Sequence, residues 1–249
     1  MLNIITIIKS IPKYKLYSGN GNKFAVIFDE IPFRNKRKIV TYIAQNEPFI
    51  DGIIFLNSKN NFMDIWDKDG THENMCGNAL LISAFLLQRL GTINQRGIVN
   101  TLDGSKEVFV KDDKVIAKIG YPKELSNGVI KVAGVPHFIT FEEESEETAK
   151  KIKEKLGEVN INFVKIKNDK IYNHTYEVGV GWTEACGTGA TAVAFYLKKN
   201  CEINFPGGTI YAFEKNGCYF IQGKVKEIEP ISIVQQVKIT HLIQNHSEN

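Results

Sequence analysis

The sequence predicts an α+β fold of two pseudo-symmetric domains. Each is a mostly antiparallel sheet wrapped around a central helix, and two related sites face each other across the interdomain cleft. Three observations carry this. One plan of glycine turn, strand, cysteine and apolar segment occurs twice; neither apolar segment has a polar face; and glycine turns between short β-prone runs follow each segment. The 249 residues suit two domains of about 120 residues each, enough for a sizeable core.

The repeat is read from matching landmarks. Gly21 to Glu30 and Gly134 to Glu143 each run from a glycine turn through an apolar strand to acid. Gly21 lies 55 residues before Cys76, and Gly134 lies 52 before Cys186. The apolar segments Ala79 to Leu90 and Ala190 to Leu197 follow the cysteines. A helix without a polar face must be buried, so each is a central helix with sheet around it. Lys198 and Lys199 stand where a helix C-terminus favours cations. Asp103-Gly104 and Pro206-Gly207-Gly208 then lead into β-prone runs, as hairpin turns do. The first domain is placed at residues 1–120 and the second at 121–249, with the C-terminal strand region free to cross back. Glu146 to Lys155, with its mixed charges, reads as an exposed helix.

Met75-Cys76-Gly77-Asn78 and Ala185-Cys186-Gly187-Thr188-Gly189 are the candidate site. A thiol at a helix start feels unpaired N–H groups and the positive end of the helix dipole, which lower its pKa. A carboxylate between two such starts would be held by backbone N–H groups, with glycine allowing close approach. The charge that spreads onto it when the adjacent carbon loses a proton would be stabilised there too. One sulfur as thiolate could take that proton while the other, as thiol, delivers one from the far side. The two would titrate as a coupled pair. Cys201 and Cys218 lack this glycine context and read as structural.

Other chemistries remain open. A covalent nucleophile would need a base, and His72 or His137 could serve. Zinc is disfavoured by the lack of a C-x-x-C pair. Two buried glycine-turn cysteines with no chemistry are the bland alternative. Net charge is +3 with scattered lysines, which gives no support to nucleic-acid binding. The apolar start, Leu2 to Ile8, is too short for a signal segment, and nothing later approaches a membrane span. Four cysteines make no disulfide scaffold, so a reducing cytoplasm is the expected compartment.

At these residues the chain resembles the diaminopimelate epimerase family of amino-acid racemases. Asp69-Gly70 before Met75-Cys76-Gly77-Asn78 resembles its D-G-x-x-x-x-M-C-G-N run. Gly134-x-Pro136-His137 resembles G-N-P-H, Val159-Asn160-x-Asn162-Phe163 resembles V-N-x-x-F, and Gly19-Asn20-Gly21-Asn22-x-Phe24 resembles G-L-G-N-D-F. The run from Thr175 to Ala190 is similar to the family's strongest signature. The resemblance implies the two-domain fold, a small amino-acid substrate, no cofactor and a homodimer. It also implies that Cys76 and Cys186 are the catalytic bases. Asn22, Gly77, Asn78, Asn160, Glu177, Gly187 and Thr188 would touch substrate, the backbone near Glu177 meeting the α-amino group.

The departures bear on substrate. Val178 stands where diaminopimelate epimerase has the arginine that binds the second carboxylate, and Val135 where it has asparagine. Asp67 replaces an asparagine and Trp182 a glutamate. Losing a bidentate clamp and adding an acid disfavours an anionic side chain. The distal pocket is expected to hold a flat or cationic side chain, with Asp67 accepting from an imidazole N–H between valine and Trp182 walls. This is similar to the histidine racemases of the family, which the Pro206-Gly207-Gly208 turn and Gly223 also fit. Diaminopimelate, or another apolar or cationic amino acid, is the alternative.

Overall fold

The computed structural model describes residues 12–229. The apolar start Leu2 to Ile8 lies outside the described residues. The first half holds β1 (Tyr14–Gly19), β2 (Asn22–Ile27), α1 (Phe33–Asn46), β3 (Gly52–Asn57), β4 (Phe62–Asp67), β5 (His72–Glu73), α2 (Gly77–Arg89), β6 (Arg96–Thr101), β7 (Gly104–Lys111) and β8 (Lys114–Gly120). The second holds β9 (Lys123–Glu124), β10 (Ile130–Val132), β11 (Val135–Thr140), α3 (Glu146–Leu156), β12 (Asn160–Lys167), β13 (Lys170–Glu177), β14 (Gly181–Thr183), α4 (Gly187–Tyr196), β15 (Cys201–Phe205), β16 (Gly208–Lys215) and β17 (Cys218–Ile228). Among the described residues no helix is long and apolar enough to cross a membrane.

Strand pairing closes a ring in the order β1, β2, β3, β4, β6, β7, β8, β17 and back to β1. It encloses α2, whose Ala79, Leu80, Leu81, Ile82, Ala84 and Leu87 are buried. The second lobe follows the same plan: β9, β10, β11, β12, β13, β15, β16 and β17 surround α4. β17 serves both lobes. It pairs with β16 at its start and with β1 at its end, so the C-terminal strand crosses back. The interiors join into one core running from α2 to α4.

β2 and β3 pair in parallel, as do β11 and β12. Parallel neighbours need a crossover, and α1 and α3 supply the two. Each lies outside its barrel over a separate apolar cluster. Helix α3 is the exposed, mixed-charge helix expected from sequence; Ser145 caps it by accepting from the Thr148 N–H at 3.1 Å. Helix α4 ends earlier than the lysines require. Leu197 is its C-cap and Lys198 has φ of 51°, so both lysines lie beyond the helix.

Candidate functional site

Both cysteines are N-cap residues. Cys76 (φ −132°, ψ 126°) precedes α2, and Cys186 (φ −131°, ψ 115°) precedes α4. The two helix starts abut. A Cβ built on Gly77 would stand 3.2 Å from Gly187 Cα, and one on Gly187 would stand 3.3 Å from Gly77 Cα. Asn78, in the first turn of α2, donates its Nδ2 to the Ala185 carbonyl at 3.0 Å, one residue before the second cysteine. Glycine at 77 and 187 therefore suits the close helix approach, which brings the unpaired first-turn N–H groups of both helices near each other.

Cys186 is buried, and its sulfur accepts the Gly189 N–H at 3.3 Å and lies 3.4 Å from Thr188 Oγ1. Cys76 keeps some solvent contact. All four cysteines are free. Helix-start thiols were expected to have lowered pKa values; in the empty site the balance is the reverse. Burial pushes Cys76 up to about 12, and the Asp67 and Glu177 carboxyls add to this, against the pull of the Ala79 and Asn78 N–H groups. Burial also drives Cys186 well above its ordinary value, with Glu177 next in weight. Desolvation of the thiolate outweighs the helix-start N–H groups at both sites.

Glu177 is the hub of the site. Thr183 Oγ1 donates to its Oε1 at 2.8 Å, and its charge raises the Cys186 thiol. Sequence reasoning assigned only the backbone here; the structure adds the carboxyl. Burial raises its pKa. Asp67 is its counterpart in the other lobe: Trp66 faces His72 across the β4–β5 hairpin as Tyr176 faces Trp182 across β13–β14. Asp67 precedes Cys76 by the same nine residues that separate Glu177 from Cys186. Burial pushes Asp67 up to about 7, helped by the Glu73, Asp69 and Glu177 carboxyls. The site thus holds two half-buried acids, each acting on a cysteine.

The remaining predicted residues divide. Asn22 is buried on β2, and its Oδ1 has no partner among the described residues. Asn160 Oδ1 accepts the Val178 N–H at 2.8 Å, which fixes the turn after β13. The Asn78 amide is committed at both ends, so its backbone N–H is the part left to a ligand. Trp182 does not wall the cleft. Its ring packs on Phe163, His174 and Tyr176, in the cluster beneath α3, on the other strand face from Thr183. Val178 is 38% exposed. His72 stacks on Trp66 and meets Asp64 at 2.5 Å. His137 is fully buried, and burial lowers it to about 3, so it stays neutral. Its Nδ1 lies 3.2 Å from Asn162 Nδ2. Asn162 Oδ1 in turn accepts from Asn173 and Thr175, each at 3.1 Å. The first turn of α4 rests on this layer, because a Cβ on Gly189 would fall 2.5 Å from Asn162 Oδ1.

Two lobes of one design, meeting at paired helix starts, make a fold that solved structures share. A phenazine biosynthesis PhzF family protein from Enterococcus faecalis superposes with a TM-score of 0.65 at 14% identity, covering 87% of this chain and 96% of that one. A hydroxyproline epimerase from Agrobacterium vitis gives 0.60 at 14% identity, covering 87% and 90%. No protein-family model matches the chain. A diaminopimelate epimerase from Thermotoga maritima is 30% identical over 231 residues, covering 84% of this chain and 97% of the relative. The chain belongs to the diaminopimelate epimerase family and is an isomerase of the epimerase and racemase type.

Proposed function

We propose that the chain is a cofactor-independent amino-acid racemase acting on histidine, with Cys76 and Cys186 as its two bases. The observation that carries this is the contact of the two cysteine-headed helix starts at Gly77 and Gly187, with Glu177 acting on both sulfurs. The substrate carboxylate lies at the first-turn N–H groups of Asn78, Gly187 and Thr188. Its α-ammonium offsets the Glu177 charge that raises both thiols, so one thiolate becomes accessible when substrate is bound. That thiolate takes the Cα proton, and the electron pair delocalises onto the carboxylate. The opposite thiol then protonates the other face, and the two sulfurs exchange protonation states.

The departures from the family pattern support histidine as substrate. Val178 and Val135 offer nothing to a second carboxylate, and Asp67 adds a half-buried acid to the distal end. An imidazole N–H donating to Asp67 suits that lining. The Thermotoga maritima relative is named a diaminopimelate epimerase, which makes diaminopimelate the second reading. Incubating the reduced protein with single amino acids in D2O, followed by NMR at Cα, separates the two. Exchange with histidine and not diaminopimelate is expected. Exchange with diaminopimelate alone overturns the substrate reading, and silence with every amino acid overturns the racemase.

A further inference from the structure

One buried side chain at the lobe junction has so far no part in the chemistry. Asn20, in the β1–β2 turn, occupies the place of the leucine in the G-L-G-N-D-F pattern. It is 8% exposed and has φ of 53°, a backbone that favours asparagine, aspartate and glycine among residues. Both ends of its amide are used. Oδ1 accepts the Lys224 N–H on β17 at 3.2 Å, and Nδ2 donates to Asn78 Oδ1 at 3.1 Å. Asn78 Nδ2 then donates to the Ala185 carbonyl at 3.0 Å. An asparagine amide can turn end for end, and Asn20 removes that freedom by offering Asn78 a donor.

The contacts close a loop. The Gly207 N–H donates to the Glu184 carbonyl at 2.8 Å, so Glu184 and Ala185 are gripped from two sides just before Cys186. Gly207 lies directly on the Asn20 turn: a Cβ there would stand 2.9 Å from both the Asn20 carbonyl oxygen and Gly21 Cα. A Cβ on Gly223 would strike Asn20 Oδ1 at 2.4 Å. These glycines make room for the amide and for the loop that carries it.

We propose that Asn20 is a positioning residue that fixes the two cysteine-bearing helix starts relative to each other, through Asn78 and Ala185. Its amide hydrogen-bonds Asn78 and Lys224 and neither sulfur. Its effect falls on the relation between the two bases, because Asn78 belongs to the Cys76 helix and Ala185 to the Cys186 approach. The catalytic part of this inference rests on the two-thiol reading above.

Asn20→Gly suits the left-handed backbone, spares the fold and deletes the amide. Asn20→Asp keeps the acceptor for Lys224 but cannot donate to Asn78 Oδ1 when ionised. Both are assayed as full chains with L-histidine in D2O. Deuterium in the recovered L enantiomer reports one-face exchange, and the D enantiomer reports inversion. In both variants inversion kcat is expected to fall on the order of 10- to 100-fold, as sub-ångström misplacement of a base does. KM is expected to stay near wild type, and the ratio of one-face exchange to inversion to rise. A purely structural defect lowers exchange and inversion together, and that result overturns the proposal, as does wild-type inversion in both variants. A second readout needs no substrate: iodoacetamide labelling of Cys76 and Cys186, read by mass spectrometry at matched Tm. Faster labelling of Cys186 in both variants is expected, and unchanged labelling of both cysteines counts against the brace. If wild-type protein exchanges no amino acid, the two-thiol reading fails by itself, and the labelling still decides the role of Asn20.

Discussion

Gly77 and Gly187 meet backbone to backbone, and a Cβ on either would press against the other. A Cβ on Gly187 would also stand 2.9 Å from Ile221 Cδ1. Ile221, on the shared strand β17, is fully buried. The junction of the lobes is thus an apolar side chain seated under two helix starts, and the spacing of the starts is set by the absence of two methyl groups.

Gly187→Ala is therefore expected to push α4 from α2. Overpacking of this size costs roughly 1–3 kcal/mol of stability, and displaced helix starts should lower turnover at least tenfold as an order of magnitude. Ile221 Cδ1 is the flexible end of a side chain, whereas Gly77 Cα is backbone. Adding Ile221→Val should then restore part of the Tm and little of the turnover. Full recovery of turnover in the double variant would show that the glycine contact does not set the site.

Replacing either sulfur tests the two-base reading. Cys76→Ser and Cys186→Ser should each abolish inversion, because a serine hydroxyl is far too weak an acid and base for the step. Each variant retains one thiol, so one-face exchange at Cα should survive with one enantiomer and vanish with the other. Mixing L- and D-substrate assays for the two variants reveals which cysteine serves which face. A serine variant that inverts at the wild-type rate would refute the mechanism.

Much of this was legible in the sequence, and the failures have physical causes. Helices α2 and α4 could be read because they are apolar on every face, and their cysteines mark the caps. Helix α1 was not anticipated. It starts after Pro32 with no side-chain cap, has no acid in its first turn and runs through Arg34, Lys36, Arg37 and Lys38, so its single buried stripe at Val40 and Ile43 is faint. The parallel β2–β3 pair that demands it is a tertiary fact. Helix-start geometry was enough to propose active thiols, but not to weigh burial, which wins in the empty site. Trp182 sits one residue from Thr183, and strand alternation sends the two to opposite faces. Nothing in the sequence singles out Asn20, because its contacts, Asn78 and Lys224, are far away along the chain.

Asp67 predicts a pH dependence of stability. Its pKa rises from an ordinary 3.8 to about 7 on folding, so the native state binds this proton more tightly than the unfolded chain. The stabilisation is fully present below the unfolded value and is lost as pH climbs through the folded value, between about 4 and 7. Above that window an ionised Asp67 is a burden. Asp67→Asn should leave stability near pH 4 almost unchanged and raise it at pH 8 by up to a few kcal/mol, in order-of-magnitude terms. Urea unfolding of both proteins at the two pH values measures this. A variant that is less stable than wild type at pH 8 would mean that Asp67 has a cationic partner in the folded chain.

On the proposed histidine reading, the same carboxyl, with Val178, is the place to test substrate choice. Val178 is 38% exposed, and its N–H is tied to Asn160 Oδ1 at 2.8 Å, so a long side chain can be placed there without losing the turn. Val178→Arg restores a planar guanidinium able to grip a distal carboxylate through two hydrogen bonds. Alone, that arginine would be drawn toward Asp67, and the pair would neutralise itself. With Asp67→Asn added, the acid is gone and the guanidinium is free for substrate. The double variant is expected to gain Cα exchange with diaminopimelate by at least tenfold, about 1.4 kcal/mol, while exchange with histidine falls. Each single change should achieve less than half of that shift on a logarithmic scale, because the two residues act on one end of one ligand. Competition assays with both amino acids in D2O read the ratio directly. If the double variant keeps the wild-type preference, the distal end of the substrate does not lie between Asp67 and Val178.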